Sequence, residues 1–179
     1  MCRRGSKKIP DIAGDNRLGR SRGGFGTKIH LAIDGSGLPL NIVLSPGQAH
    51  ESQFGIGVQR QNGSMKRRGH AVLANKAYSG HVLRNTLKKW YKTVISRKSN
   101  EKMASDDRTQ LDRDAYRNRN VVERCFGRLK EYRRIATRYD KTARNYLEMV
   151  KLGCISLFIR RQLLLPVRVN YSGRLRIVA

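Results

Sequence analysis

Acidic residues are scarce in this chain. Against 38 Lys and Arg there are 13 Asp and Glu, a net charge of +25 over 179 residues, with a pI near 11.1. Few ordinary cytosolic enzymes are so basic. Nucleic acid is the expected partner, because phosphates supply the matching charge and release counterions on binding. An anionic membrane surface is the competing possibility, but long apolar runs are missing too. The longest, around "LGCISLFI", falls well short of the roughly 18 residues of a membrane span. "MCRRGSKKIPDIAGDN" has basic residues with no apolar core behind them, so it does not have the pattern of a secretory signal. Cysteine is rare as well. Cys2, Cys125 and Cys154 are odd in number, far apart, and show neither C-x-x-C spacing nor nearby histidine pairs. They are expected to be reduced thiols of an intracellular protein, not a disulfide or zinc site. Aromatics make up only 7% and no K/R-G-F/Y pattern is present, which argues against an RNA-binding module of the ribosome-associated kind. His30, His50, His70 and His81 show no metal-ligand spacing.

What is there suffices for one domain: 39% of the chain is hydrophobic. Residues 1–26 are polar, basic and glycine-rich and are expected to form a flexible arm. In "TKIHLAIDGSGLPLNIVLSPG", Ile29, Leu31 and Ile33 alternate with polar or small residues. Leu38, Leu40, Ile42 and Leu44 do the same after the turn signal "DGSG". That pattern predicts a β-hairpin with one buried face. Residues 50–68 are ambiguous. "HAVLANKAY" predicts a short buried strand, "SGHVLRNTLKKW" a helix opened by Ser79, with Trp90 packing beside Leu87, and "KTVIS" another strand. A charged loop spans 97–113. A helix is predicted from Tyr116 to Arg133, with Gly127 as its weak point, and a further one over about 142–164, opened by Thr142 and stopped by Pro166. The tail, residues 166–179, contains "VRVNYSGRLRIVA" and could fold as a small hairpin. The order implies an α/β domain over 27–165 with a mixed sheet.

The helix from Tyr116 carries an unexpected carboxylate. Arg119, Glu123 and Lys130 follow Tyr116 by 3, 7 and 14 residues. At about 100° per residue they fall at roughly 300°, 340° and 320° from it, so all four share one stripe about 60° wide. Val122, Cys125, Phe126 and Leu129 lie beside the stripe and can pack inward. A hydroxyl, two cations and one carboxylate presented together suit a site for phosphate esters. Glu123 could bind a divalent metal while Arg119 and Lys130 hold phosphate oxygens. Geometry equally allows a plain i,i+4 pair of Arg119 with Glu123 on a solvated face. From Arg117 to Arg138 there are eight Arg or Lys against two Glu, among them Arg124, Arg128, Arg133 and Arg134. So dense a cluster predicts a track for double-stranded DNA. Arg20 and Arg22 in "SRGG" could extend it, since the glycines permit close approach to the backbone.

"YRNRNVVERCFGRLK" resembles the C-terminal signature of DDE transposases of bacterial insertion sequences: Tyr, two residues, Arg, three residues, Glu, six residues, Lys. It fits Tyr116, Arg119, Glu123 and Lys130 without a gap. "GRSRGGFGTKIH", "DGSGLPLNIVLSPGQAHES", "LANKAYSG" and "RRIATRYDKTARNY" resemble the same group, so the likeness spans roughly residues 17 to 163. It implies a ribonuclease H-like fold. It also implies a catalytic set of Asp, Asp and Glu holding two divalent ions, usually Mg²⁺, roughly 3.5–4 Å apart, which activate water or a DNA 3′-hydroxyl and stabilise the leaving oxygen. Members cut element ends and join them to target DNA. By this resemblance Glu123 is the third acid and a metal ligand.

The chain departs from that pattern at the other two acids. The second Asp of the family corresponds to Asn75, an amide that can ligate but brings no charge to offset two cations. The first Asp, on a strand upstream of "GRSRGG", has no match. Asp11 and Asp15 lie in a strandless stretch, and Asp34 is expected to form the hairpin turn before Gly35. Glu51 stands where relatives often carry Asp, with no metal role implied. The expectation is therefore a DNA-binding, cytoplasmic and nucleoid-associated transposase-family protein, able to form homo-oligomers on DNA, truncated at the N-terminus, lacking the first strand of its sheet and impaired in catalysis. Two alternatives are an active Mg²⁺-dependent transposase whose missing acids come from an upstream reading frame, and an unrelated basic RNA-binding module.

Overall fold

In the computed structural model of the chain, residues 17–60, 71–89, 91–96, 116–164 and 175–178 are described. Asp11, Asp15, Cys2, His70, Trp90 and the expected charged loop at 97–113 lie outside them. Alternating apolar residues build the first part of the sheet. Strand β1 (Gly19–Ser21) pairs antiparallel with β2 (Gly24–Asp34), and β2 pairs antiparallel with β3 (Pro39–Pro46). A 3₁₀ turn (Glu51–Gln53) and helix α1 (Gly55–Arg60) follow. β4 (Ala71–Ala74), a second 3₁₀ turn (Lys76–Tyr78), α2 (His81–Lys88) and β5 (Lys92–Ile95) come next. The C-terminal half holds α3 (Asn120–Lys130), the one-turn α4 (Arg133–Ala136), α5 (Ala143–Leu164) and β6 (Leu175–Val178). The sheet order is β1-β2-β6-β4-β5, with β3 on β2. β4 and β5 run parallel, so the sheet is mixed, as the element order implies. Among the described residues no helix is long and apolar enough to cross a membrane.

Helices cover both faces. Leu31, Ile33, Leu44, Leu73 and Val94 point to one side and pack on Val122, Cys125 and Leu129 of α3, Ile135 of α4, and Val150, Cys154 and Leu157 of α5. Ala32, Val72, Ala74 and Ile95 point to the other and pack on Val58 of α1 and on Leu83 and Leu87 of α2. The hairpin therefore has two buried faces over its middle, not one. Even the "polar" position His30 is buried, because α1 and the turn at Lys76–Tyr78 cover that side.

Four further differences from the sequence expectation have local causes. The basic arm is structured from residue 19: a two-residue turn, Arg22–Gly23, folds β1 onto β2, and Gly24 adopts φ +106°, which a side chain would resist. The helix expected over 116–133 is interrupted: Tyr116 and Arg117 are α-helical, Asn118 and Arg119 form a turn, and α-helix resumes from Asn120 to Lys130. Around the turn the winding is tighter, with Arg119 N–H bonded to Tyr116 O (3.0 Å), Val121 N–H to Asn118 O (3.2 Å) and Val122 N–H to Arg119 O (3.1 Å). Arg133 belongs to α4. Gly127 sits inside unbroken helix because Cys125 and Leu129 on either side are anchored in the core. α2 begins at His81 behind Gly80, not at Ser79, and no side chain caps it. α5 opens as expected, with Thr142 Oγ1 accepting from Asn145 N–H at 3.3 Å.

The described part of the tail is not a hairpin. β6 enters the main sheet, antiparallel to β2 through Ala32↔Val178 and parallel to β4 through Ala71↔Leu175. The edges of β2 and β4 are both paired by it over these residues.

Candidate functional site

A cavity of about 430 Å³ opens between the start of β2, the end of β4 and α3. Thr27, Lys28, Ile29 and His30 come from β2, and Asn75, Ala77 and Tyr78 from the end of β4 and its 3₁₀ turn. Glu123, Phe126, Leu129 and Lys130 come from α3, with Glu51, Ile135, Ala136 and Tyr146 completing the lining. The wall is held by a buried polar set. One ring nitrogen of His30, Nδ1, is 2.6 Å from Tyr78 Oη and the other, Nε2, is 2.7 Å from Ser45 Oγ; the ring stacks on Phe54 at 4.9 Å. Burial pushes the His30 pKa down to about 4; Glu51 pulls it up and Lys28 down. His30 is thus a neutral imidazole, donating through one nitrogen and accepting through the other. It bolts β2 to the turn that starts at Asn75. Desolvation likewise holds the Tyr78 hydroxyl far above its ordinary range, fully protonated.

The charged groups of the cavity are mostly paired. Lys28 Nζ donates to Glu51 Oε1 at 2.8 Å and to Ala49 O at 2.9 Å. Burial is the largest single influence and works against the Glu51 charge, but the Lys28 hydrogen bond, a backbone hydrogen bond and the charges of Lys28 and His50 together outweigh it and keep the carboxyl below the usual range. Glu123 Oε1 is 2.9 Å from Arg119 Nη1, the i,i+4 pair, and the Arg119 guanidinium lies 5.4 Å from the centre of the Tyr116 ring. With Glu123 60% exposed, the pair is worth about 0–1 kcal/mol. Asn75 differs: its Oδ1 is buried and accepts no hydrogen bond from any described residue. Arg138 ties the rim together, donating to Thr27 Oγ1, to Asp140 O (2.9 Å) and to Lys141 O (3.2 Å).

The structure thus brings Asn75, Glu123 and Lys130 to one cavity, with Arg119 and Tyr116 joined to it through Glu123. The remaining basic residues are dispersed. Arg124 and Arg128 are exposed on α3, at about 100° and 140° around the helix from Glu123, and so face away from the cavity. Arg133 is exposed on α4. Arg134 is bound to Asp140 Oδ1 at 3.0 Å. Arg20 and Arg22 are exposed on the β1–β2 hairpin. Asp34 does what its place before Gly35 implies: its Oδ1 accepts from Ser36 and Leu38 N–H, both at 2.9 Å. Lys28, Glu51, His30 and Arg138 are the residues that sequence inspection did not single out for the site. Only the quoted likeness around "TKIH", "GQAHES" and "RRIATRYDKTARNY" hinted at them.

A protein-family model, the transposase DDE domain, matches residues 5–159. The chain belongs to the DDE transposases. A protein of Brucella ovis assigned as a transposase of insertion sequence element IS6501 is 33% identical over 136 residues, covering 75% of this chain and 98% of that protein. No solved structure shows significant similarity to the chain.

DDE transposases generally use divalent metal, and the donor set here can be tested against a pair of such ions. The described residues do not fit them. Among the described residues no group of three or more His, Cys, Asp or Glu side chains is placed to hold a metal ion. Glu51 and Glu123 are each paired with a cation, and the Asn75 oxygen carries no charge. Cys125 and Cys154 offer no alternative: burial lifts their thiols to about 11 and about 12, so both stay protonated in the core.

Proposed function

We propose that this DDE transposase binds double-stranded DNA through its phosphates at the mouth of the Asn75–Glu123 cavity, and that it is impaired in the metal-dependent cleavage and strand transfer of its family. The proposal rests on Asn75. Its amide stands at the end of β4 where a second acid is expected by resemblance, with a buried Oδ1 that no described residue satisfies. Two divalent ions close together repel each other and need several carboxylates to offset the charge. The cavity offers Glu123 and Glu51, each already paired with a cation, Arg119 and Lys28. A phosphodiester needs cations instead: Lys130 lines the cavity, and Lys28 and Arg119 can exchange their carboxylate partners, Glu51 and Glu123, for phosphate oxygens. The same proposal reads the sheet as ribonuclease H-like, with β6 standing near its middle, and puts the protein's work at the nucleoid.

The test is a strand-cleavage assay on a plasmid carrying matched element ends, in Mg²⁺ or Mn²⁺, beside a gel-shift measurement. The expected outcome is binding without nicking, unchanged by Asn75→Asp alone, since that raises the matched carboxylates only from one to two. Metal-dependent nicking by the unsubstituted chain, lost on Glu123→Ala, would overturn the proposal.

A further inference from the structure

The β1–β2 hairpin needs glycine at some positions and not at others. A Cβ on Gly19 would meet Gln48 Oε1 at 1.4 Å and Pro46 Cβ at 2.8 Å, and Gly24 has its φ of +106°. Gly23 and Gly26 have neither reason. Their φ is not positive, a Cβ on Gly26 has nothing within 4 Å among the described residues, and one on Gly23 would meet Ser21 Oγ only at 3.9 Å. Glycines that the chain's own packing does not require mark a place where something else approaches the backbone closely. The side chains around them are exposed. Arg20 and Phe25 form a cross-strand pair on one face, with Phe25 78% exposed, and Arg22 stands in the turn. The opposite face, which Gly26 shares, is bare towards the tip except for the Ser21 hydroxyl, turned back onto Gly24 O at 3.1 Å. The stem is tied to the cavity rim. Thr27, which lines the cavity, donates through Oγ1 to Arg17 O at 2.6 Å and accepts from Arg138, and Gly47 N–H donates to Gly26 O at 3.1 Å.

We infer that this hairpin enters the major groove of double-stranded DNA tip first, with Phe25 against thymine methyls and Arg20 and Arg22 on the flanking phosphates. The inference deepens the DNA-binding reading of the cavity and rests on it. Continuity and charge name the occupant: β2 runs from the cavity rim straight into the hairpin, and two arginines flank the exposed ring. Size names the groove. From Thr27 to the tip at Gly23 the strand covers about 13 Å, at about 3.3 Å per residue. The major groove is about 12 Å wide, so a duplex with one backbone at the cavity mouth puts that groove under the tip. The minor groove, about 6 Å wide, does not admit a two-stranded ribbon. A ribbon inside a groove meets a wall on each side, and one with side chains on a single face is thin enough to fit. That accounts for the bare face at Gly26. Thymine methyls are the apolar contact that the major groove offers a ring such as Phe25.

The test measures affinity for an AT-rich duplex across a salt series, beside the same duplex with uracil in place of every thymine. Phe25→Ala should weaken binding to the thymine duplex about ten-fold or more, because a ring buried on binding is lost. Its salt slope should stay unchanged, since no charge is removed, whereas Arg22→Gln should flatten the slope by about 0.9. The uracil duplex should bind the unsubstituted protein more weakly and make no difference to Phe25→Ala. Gly26→Val, which has room in the fold, should keep the thermal melt and lose affinity. Hairpin variants that bind as tightly as the unsubstituted protein overturn the inference, as does equal affinity of the unsubstituted protein for the two duplexes. Lys130→Gln reads the cavity separately. A loss there with none in Phe25→Ala sinks the hairpin alone, and no salt-dependent binding by the unsubstituted protein sinks the cavity reading with it.

Discussion

His30 is wedged between Tyr78, Ser45 and Phe54, and its neutrality sets a pH limit on the fold. In the unfolded chain its pKa returns to about 6.5, whereas burial holds it near 4 in the folded one. Above pH 6.5 both states are neutral and there is no penalty. As the pH falls, the unfolded state takes up a proton that the folded state refuses, and stability drops by roughly 3 kcal/mol once pH 4 is passed. Glu51, with its lowered pKa, adds loss in the same direction at the acid end. The urea midpoint should therefore fall between pH 7 and 4.5, and His30→Gln, weaker at pH 7, should show a shallower fall. Equal pH dependence in both proteins would exclude His30 as the cause. At this scale the sequence was partly legible. The place of Glu123 and its tie to Arg119 followed from helical spacing, and the place of Asn75 from the family likeness. The His30–Tyr78 and Lys28–Glu51 contacts were not legible, because their partners lie far apart in the chain and no periodicity links them.

α5 shows what a glycine does at a crossing. A Cβ on Gly153 would stand 2.5 Å from Ile135 Cδ1 and 3.2 Å from Leu129 Cδ2, so α4 and α3 approach α5 through the missing side chain. Gly127 on α3 has nothing within 4 Å of the same position. Identical residues in neighbouring helices should thus respond with opposite sign. Gly153→Val should destabilise by about 1–3 kcal/mol through overpacking, and Gly127→Ala should stabilise by about 0.5–1 kcal/mol through helix propensity. Thermal melts of the two variants decide it, and a rise in Tm for Gly153→Val would contradict the close packing. The long helix α5 was legible from its cap and its length. The tight turns before Asn120 were not, since propensity does not separate α from 3₁₀ winding over a single turn.

For the whole molecule the net charge of +25 is the dominant fact. If about six phosphates are engaged, log K for DNA should fall with log salt at a slope near −5, and a flat dependence between low and physiological salt would rule out phosphate contacts as the source of affinity. The α/β class and a mixed sheet were legible from the order of alternating and helical patterns. The place of β6 was not: "VRVNYSGRLRIVA" holds two alternating runs around a turn signal, so local pattern favours a hairpin, while the observed partners are as distant as Ala32 and Val178. That distance has a consequence for synthesis. A ribosome makes β2 and β4 long before β6, and through that interval each presents an unpaired strand edge. Until β6 is in place, the β1–β2–β3 and β4–β5 parts of the sheet are joined to each other by helix packing alone. The protein should therefore depend on chaperones, or on slow accumulation, to escape edge-to-edge aggregation while it is being translated.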